Sequence, residues 1–174
     1  MLDVLPWIGP SCSRHHFSIL VVSPNKLYAE FLSKALYDMH LELNNRWQLS
    51  VHISNGVTSI LEQLGKIGPF SIDFIVICMD TSKVKCIQWT KQILTQCDSD
   101  LRPGRTVLVN GSGLPTLEMA MPFDQITTIK REYKLHLLNG NLLIKSDIMH
   151  TARKLHIIIE TVMGLKTGLP YTLN

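Results

Sequence analysis

Phe17 to Val22 reads Phe-Ser-Ile-Leu-Val-Val, with a single polar position. A short, apolar, β-rich run of this kind predicts a strand covered on both faces. Ile72 to Met79 and Arg105 to Asn110 have the same character and predict two further buried strands. Trp47 to Ile53 differs. Trp47, Leu49, Val51 and Ile53 alternate with Gln48, Ser50 and His52, and that period of two predicts a strand with one face open to solvent. Leu135 to Leu138 is the last strand, resumed over Leu142 to Ile144.

Between these runs the apolar spacing lengthens to that of a helix. Lys26 to Leu41 places Leu27, Phe31, Leu32, Ala35 and Leu36 on one face. After the Asn55-Gly56 turn, Val57 to Lys66 is a short helix, and Val84 to Cys97 is another. Pro122 starts a helix running to about Tyr133. Asp147 to Met163 is the last helix, with Asp147 near its N-terminus and Gly164 as its C-cap. Its seam of Ile148, Ala152, Leu155, Ile159 and Val162 should face the sheet, and Ile157 and Ile158 fall on the flanks. Alternation of strands with helices predicts an α/β fold, a mostly parallel sheet flanked by helices on both faces.

The domain so defined covers 17–164. Residues 1–16 precede it as an extended arm, because Pro6, Gly9, Pro10 and Ser11 exclude regular structure. Residues 165–174 follow as an apolar tail. Chain ends are usually polar and loose, so Leu165, Leu169, Tyr171 and Leu173 either dock back on the domain or enter a partner's groove. Together with Ile157 they are the candidate partner-binding residues.

Composition supports one domain and hints at a covered surface. The chain has 174 residues, 45% hydrophobic and 18% charged, with a mean hydropathy of +0.14. A soluble chain this apolar often hides part of its surface against a partner. A net charge of +3 spread along the sequence does not by itself call for nucleic acid. Cys12, Cys78, Cys86 and Cys97 have no paired spacing, which fits a reducing compartment. The N-terminus lacks the basic start and continuous apolar stretch of a signal peptide, and no run reaches membrane-spanning length. A soluble chain of the cytoplasm or nucleus, with no membrane partner, is expected.

Ligands of open α/β sheets bind at the carboxyl ends of the strands, so those ends decide the chemistry. A P-loop after the first strand needs two glycines to let backbone N–H groups wrap phosphate, then lysine and a hydroxyl. Counted from Ser23, those places hold Ser23, Tyr28, Ala29 and Glu30. Both glycines are missing and a carboxylate replaces the Mg²⁺ ligand. Lys26 lies nearby as a solvated lysine of the first helical turn. A GTPase would follow Asp80 with a glycine two residues on, and the chain has Ser82 and Lys83. Asn110-Gly111-Ser112-Gly113 stands where guanine recognition would need an Asn-Lys-x-Asp run, and Asn110 reads as a turn residue.

A phosphoreceiver has a similar rhythm. Asp80 would be its phosphoacceptor and Lys145 its lysine, but Ser23 and Pro24 replace its acidic pair. Strand order separates the two folds. Receivers place strand one between two and three, whereas GTPase-like sheets place strand three between two and one. Cys12, His15 and His16 sit in the arm without a second cysteine pair, so they predict no structural zinc. His150 and His156 are six apart and share no helix face. Lys130, Arg131, Lys134, Arg153 and Lys154 would form a basic patch, open to weak and salt-sensitive DNA contact, if the last two helices are neighbours. No cofactor is called for.

Several segments carry a resemblance. Leu2-Asp3-Val4-Leu5-Pro6, Ile19-Leu20-Val21-Val22, Ile72-Asp73-Phe74-Ile75-Val76 and Val107-Leu108-Val109-Asn110-Gly111-Ser112-Gly113 resemble, in order and spacing, the arm, first strand, central strand and glycine turn of the centromere protein M family. Ala152, Leu155, Ile159 and Gly164 are similar to that family's last helix, and Leu173-Asn174 to the residues that follow. The chain departs in a longer loop between the first helix and second strand. The resemblance implies a small-GTPase-like shape without a P-loop. It also implies a non-catalytic structural role in the inner kinetochore, beside centromere proteins H and K and chiefly against the helical-repeat centromere protein I, at centromeres in the nucleus. The alternatives are a residual nucleotide-binding GTPase-like switch and a receiver-like signalling domain.

Overall fold

A computed structural model describes residues 16–43, 47–56, 72–97, 99–101, 103–162 and 164. Cys12 and His15, the helix expected over 57–66, and Leu165, Leu169, Tyr171 and Leu173 lie outside them.

Strands β1 (His16–Val22), β3 (Phe74–Met79) and β4 (Thr106–Asn110) are buried nearly end to end, as their unbroken apolar runs require. Strands β2 (Gln48–Ser54) and β5 (His136–Asn139) are only partly covered and form the sheet edges. Among the described residues these five strands pair in parallel, in the order β2-β1-β3-β4-β5. Ile19 pairs with Val51 on one side and Phe74 on the other, and Met79 pairs with Asn110. Asp73, just before β3, locks the start of this register. Its backbone N–H donates to the Ser18 carbonyl and its carboxylate accepts the Ser18 N–H, each at 2.9 Å.

Among the described residues four helices cover the sheet: α1 (Lys26–Glu42), α2 (Cys86–Gln96), α3 (Phe123–Glu132) and α4 (Lys145–Val162). Helices α1 and α4 pack side by side over Phe17, Ile19, Val21, Phe74 and Val76. Helices α2 and α3 cover the opposite face, over Leu20, Val22, Ile75, Ile77 and Leu108. The architecture is therefore the expected α/β fold, a parallel sheet between two helical layers. β1 lies between β2 and β3, the order attached above to receivers. A GTPase-like sheet gives this same order once its strand two is left out and the rest renumbered. The small-GTPase likeness thus turns on a strand beyond β2, and among the described residues β2 is the edge.

Two local expectations are corrected. In α1 the buried face holds Tyr28, Leu32, Ala35, Leu36 and Met39, while Leu27 and Phe31 are exposed. The Asn25 side chain caps the helix by accepting the Leu27 N–H at 3.1 Å. Leu142 to Ile144 is not a strand. It is the turn that leads into α4, with the Leu142 N–H on the Gly111 carbonyl. The seam of α4 is buried as its spacing predicts, and Gly164 follows with φ 65°. Among the described residues, no helix is long and apolar enough to cross a membrane.

A polar cluster joins the carboxyl ends of α1 and α4 to β2. The His40 ring lies 4.3 Å from the Trp47 ring, and the His156 ring lies 5.5 Å from Trp47. His156 Nδ1 is 3.6 Å from Glu160 Oε1. Burial holds the His40 imidazole below its ordinary 6.5, against the opposing effects of a Trp47 backbone hydrogen bond and the Glu160 charge. His52 is lowered too, by burial first and then by His16. Both groups bind protons more readily unfolded than folded, so stability rises with pH. The urea midpoint is expected to fall as pH drops below about 6.5. Histidine NMR titrations of the folded protein should give midpoints for His40 and His52 below that of a model peptide.

Candidate functional site

The switch point of this sheet is the crevice between the carboxyl ends of β1 and β3, from which α1 and α2 leave. Its floor is built by three short turns. Ser23 Oγ donates to the Cys78 carbonyl at 3.2 Å and accepts the Asn25 N–H at 3.1 Å. This draws the β1–α1 turn down onto β3. Asp80 follows β3, and its Oδ1 accepts both the backbone N–H and the hydroxyl of Ser82. Asn110 closes β4. Its Oδ1 accepts the hydroxyls of Thr81 at 2.9 Å and Ser112 at 3.0 Å, tying the ends of β3 and β4 together. Asn110 is thus the last strand residue and a buried hub, where the sequence reading gave it a turn role.

Tyr28 fills the space above this floor. It is 5% exposed, and its ring lies so close to Gly111 that a Cβ there would stand 2.8 Å from Tyr28 Cδ2 and 3.0 Å from Leu142 Cδ1. Burial, and then the charge of Asp80, push the Tyr28 hydroxyl above its ordinary pKa. The place that a second P-loop glycine would occupy is therefore taken by a buried aromatic ring beside a carboxylate. Lys26 does not enter the crevice. Its side chain is 85% exposed and its ammonium lies 3.4 Å from Glu30, one helical turn on. Of the residues at the P-loop places, Ser23 holds the turn, Tyr28 fills the crevice, and Glu30 pairs on the surface with the nearby Lys26.

The far side of the crevice is closed by the loop after β5. Ser112 and Asn141 form an isolated antiparallel bridge, and Gly113 takes φ 62° against the Asn141 backbone. Asn141 donates its N–H to Asp147 in the first turn of α4 at 3.2 Å. Lys145 is exposed in that same turn. Cys78 and Cys86 are buried, and burial pushes the Cys86 thiol up to about 11. Both read as core residues, since the thiolate is the reactive form. His16 lies 2.8 Å through Nε2 from the Ser50 hydroxyl. His150 is exposed and His156 buried. Among the described residues no cluster of three or more His, Cys, Asp or Glu could hold a metal.

The expected basic patch is divided. Lys130, Arg131 and Lys134 gather around one cavity at the end of α3, whereas Arg153 and Lys154 lie exposed on α4, on the other side of the sheet. The two helices are not neighbours, because α3 packs with α2 and α4 packs with α1. Of the candidate partner-binding residues, Ile157 is described, and it is 51% exposed on α4. Sequence reasoning missed the closing roles of Thr81 and Ser112. Their only signal was the clustering of small hydroxyl residues just after two apolar strands.

Fold and site together define a doubly wound parallel α/β domain with the Tyr28 ring buried at the carboxyl end of its sheet. No protein-family model matches the chain, and no curated protein matches it.

Proposed function

We propose that the chain is a non-catalytic, partner-binding subunit of the centromere protein M type. In this reading it sits at the centromere in the nucleus and stabilises centromere protein I within an assembly that includes centromere proteins H and K. The single observation that carries the non-catalytic half is the buried Tyr28 ring packed against Gly111, at the chain position where a P-loop would have its second glycine. Aromatic bulk and a carboxylate both oppose a phosphate, and the Ser23-Pro24-Asn25 turn after β1 has no glycine to let backbone N–H groups wrap one. The assembly half rests on the sequence resemblance and on the exposed Ile157.

Equilibrium dialysis and thermal-shift scans with GTP, GDP, ATP and Mg²⁺ are expected to show no ligand. A real ligand at a hundredfold excess over its Kd would raise stability by about 2.7 kcal/mol, and such a shift would sink the reading. In pulldowns, the chain should retain centromere protein I, and Ile157→Glu should weaken that retention while the fold survives. Retention unchanged by this substitution removes Ile157 from the interface.

The strand order is also that of a second reading, a receiver-like module with Asp80 as acceptor. Against it, the Asp80 carboxylate is engaged by Ser82, and Ser23 and Pro24 supply no metal ligands. Treatment with acetyl phosphate and Mg²⁺, followed by mass spectrometry, is expected to leave Asp80 unmodified. Stoichiometric phosphorylation of Asp80 would establish the receiver instead.

A further inference from the structure

We propose that the cavity at the carboxyl end of α3 is a docking site for an acidic segment of a partner protein, a short extended run carrying two or three aspartate or glutamate side chains. The cavity has a volume of about 480 Å³ and is lined by Thr127, Lys130, Arg131, Lys134 and Leu135. Three of the five are cations and none is acidic. Among the described residues none of the three takes part in an ion pair. Like charges gathered around a concavity without a counter-charge repel one another, and an anionic partner relieves that repulsion.

The backbone at the end of α3 is arranged so that all three reach the cavity. The Leu135 N–H donates to the Lys130 carbonyl at 2.9 Å and the Lys134 N–H to the Arg131 carbonyl at 3.4 Å, the two bonds of a Schellman cap. The left-handed residue of such a cap is usually glycine. Here it is Lys134, with φ 52°, the one non-glycine residue with positive φ among the described residues. The left-handed turn brings Lys134 round to line the same cavity as the cations of the last helical turn. Leu135, 4% exposed, fixes the cap to the core.

The same geometry selects the class of partner. The end of a helix presents carbonyls, not the N–H groups that cradle phosphate at helix starts, so side-chain cations alone must attract the anion. Carboxylates suit such a site, since a guanidinium such as that of Arg131 can take one in bidentate fashion. Thr127 to Lys134 spans roughly 10 Å at 1.5 Å per residue. That matches about three residues of an extended peptide. A duplex would need a stripe of cations along its backbone, and Arg153 and Lys154 lie on the other side of the sheet.

The test uses the full chain and a short fluorescein-labelled oligoglutamate peptide, read by polarisation at low salt. Saturable binding is expected. Arg131→Glu should weaken it by about tenfold or more, and added salt should weaken it steeply. Lys134→Gly should also weaken it while keeping or raising the melting temperature, because glycine adopts the left-handed conformation without strain. Arg153→Glu with Lys154→Glu should leave binding unchanged. Binding indifferent to Lys134→Gly, or reduced equally by the α4 pair, overturns the site. Tighter binding of duplex DNA, lost in the same α3 variants, overturns the partner class, as does displacement of the peptide by equimolar inorganic phosphate. The inference does not rest on the centromere reading, so peptide binding can fail while the pulldown with centromere protein I succeeds, and the reverse.

Discussion

Phe74→Ala is expected to lower unfolding stability by about 3–5 kcal/mol, the range for truncating a buried aromatic core residue. Phe74 is the first residue of β3, fully buried, and pairs with Ile19 of β1 at the centre of the sheet. It packs in the layer that α1 and α4 cover. Truncation leaves a void among Val76, Leu32 and their neighbours, and close-packed walls relax only in part. Against a total of about 5–15 kcal/mol for a domain, this is a large fraction. Urea denaturation checks it, through a lowered midpoint at an unchanged slope. Leu117, 99% exposed, is the control: Leu117→Ala should stay within about 0.5 kcal/mol of the parent.

The second large effect concerns the crevice. Tyr28→Ala removes a buried ring and is expected to cost about 3 kcal/mol. Gly111→Ala sets a methyl within 2.8 Å of that ring and 3.0 Å of Leu142, and is expected to cost about 1–3 kcal/mol through overpacking. The two changes share one space, so the double variant should be more stable than the sum of the singles predicts, by about 0.5–3 kcal/mol. Strict additivity would mean that the Tyr28 ring does not occupy the crevice in solution. The cycle therefore tests the packing on which the non-catalytic reading rests, without depending on any partner. Tyr28→Ala should still bind no nucleotide, because Asp80 remains beside the site and the glycines that wrap phosphate are still missing.

Most of the fold was legible from the pattern of residues. The runs ending at Val22, Met79 and Asn110 could only be strands covered on both faces, and the spacing of Ile148, Ala152, Leu155, Ile159 and Val162 could only be one helix face. Phase was harder. Leu27 and Phe31 are more apolar than Tyr28, yet Tyr28 is buried. Periodicity ranks faces by hydrophobicity, while the space beside Gly111, which takes the Tyr28 ring, exists only in the folded sheet. The site was legible only as an absence: the chain lacks the glycines and acidic pairs that phosphate chemistry requires. What occupies the crevice instead was not legible, because Tyr28, Asp80 and Gly111 are far apart in sequence.

The sequence by itself determined the class of the fold, the succession of the described strands along the chain, and the lack of a phosphate-binding loop motif. These are local properties, carried by period, turn residues and motif spacing over short windows. Tertiary structure alone decided that strand one lies between two and three, that α3 and α4 sit on opposite faces, and that three of the five basic candidates share one cavity. Each of these depends on which distant segments pair. That choice is made by the summed burial of two faces of a sheet, and no short stretch of chain encodes it.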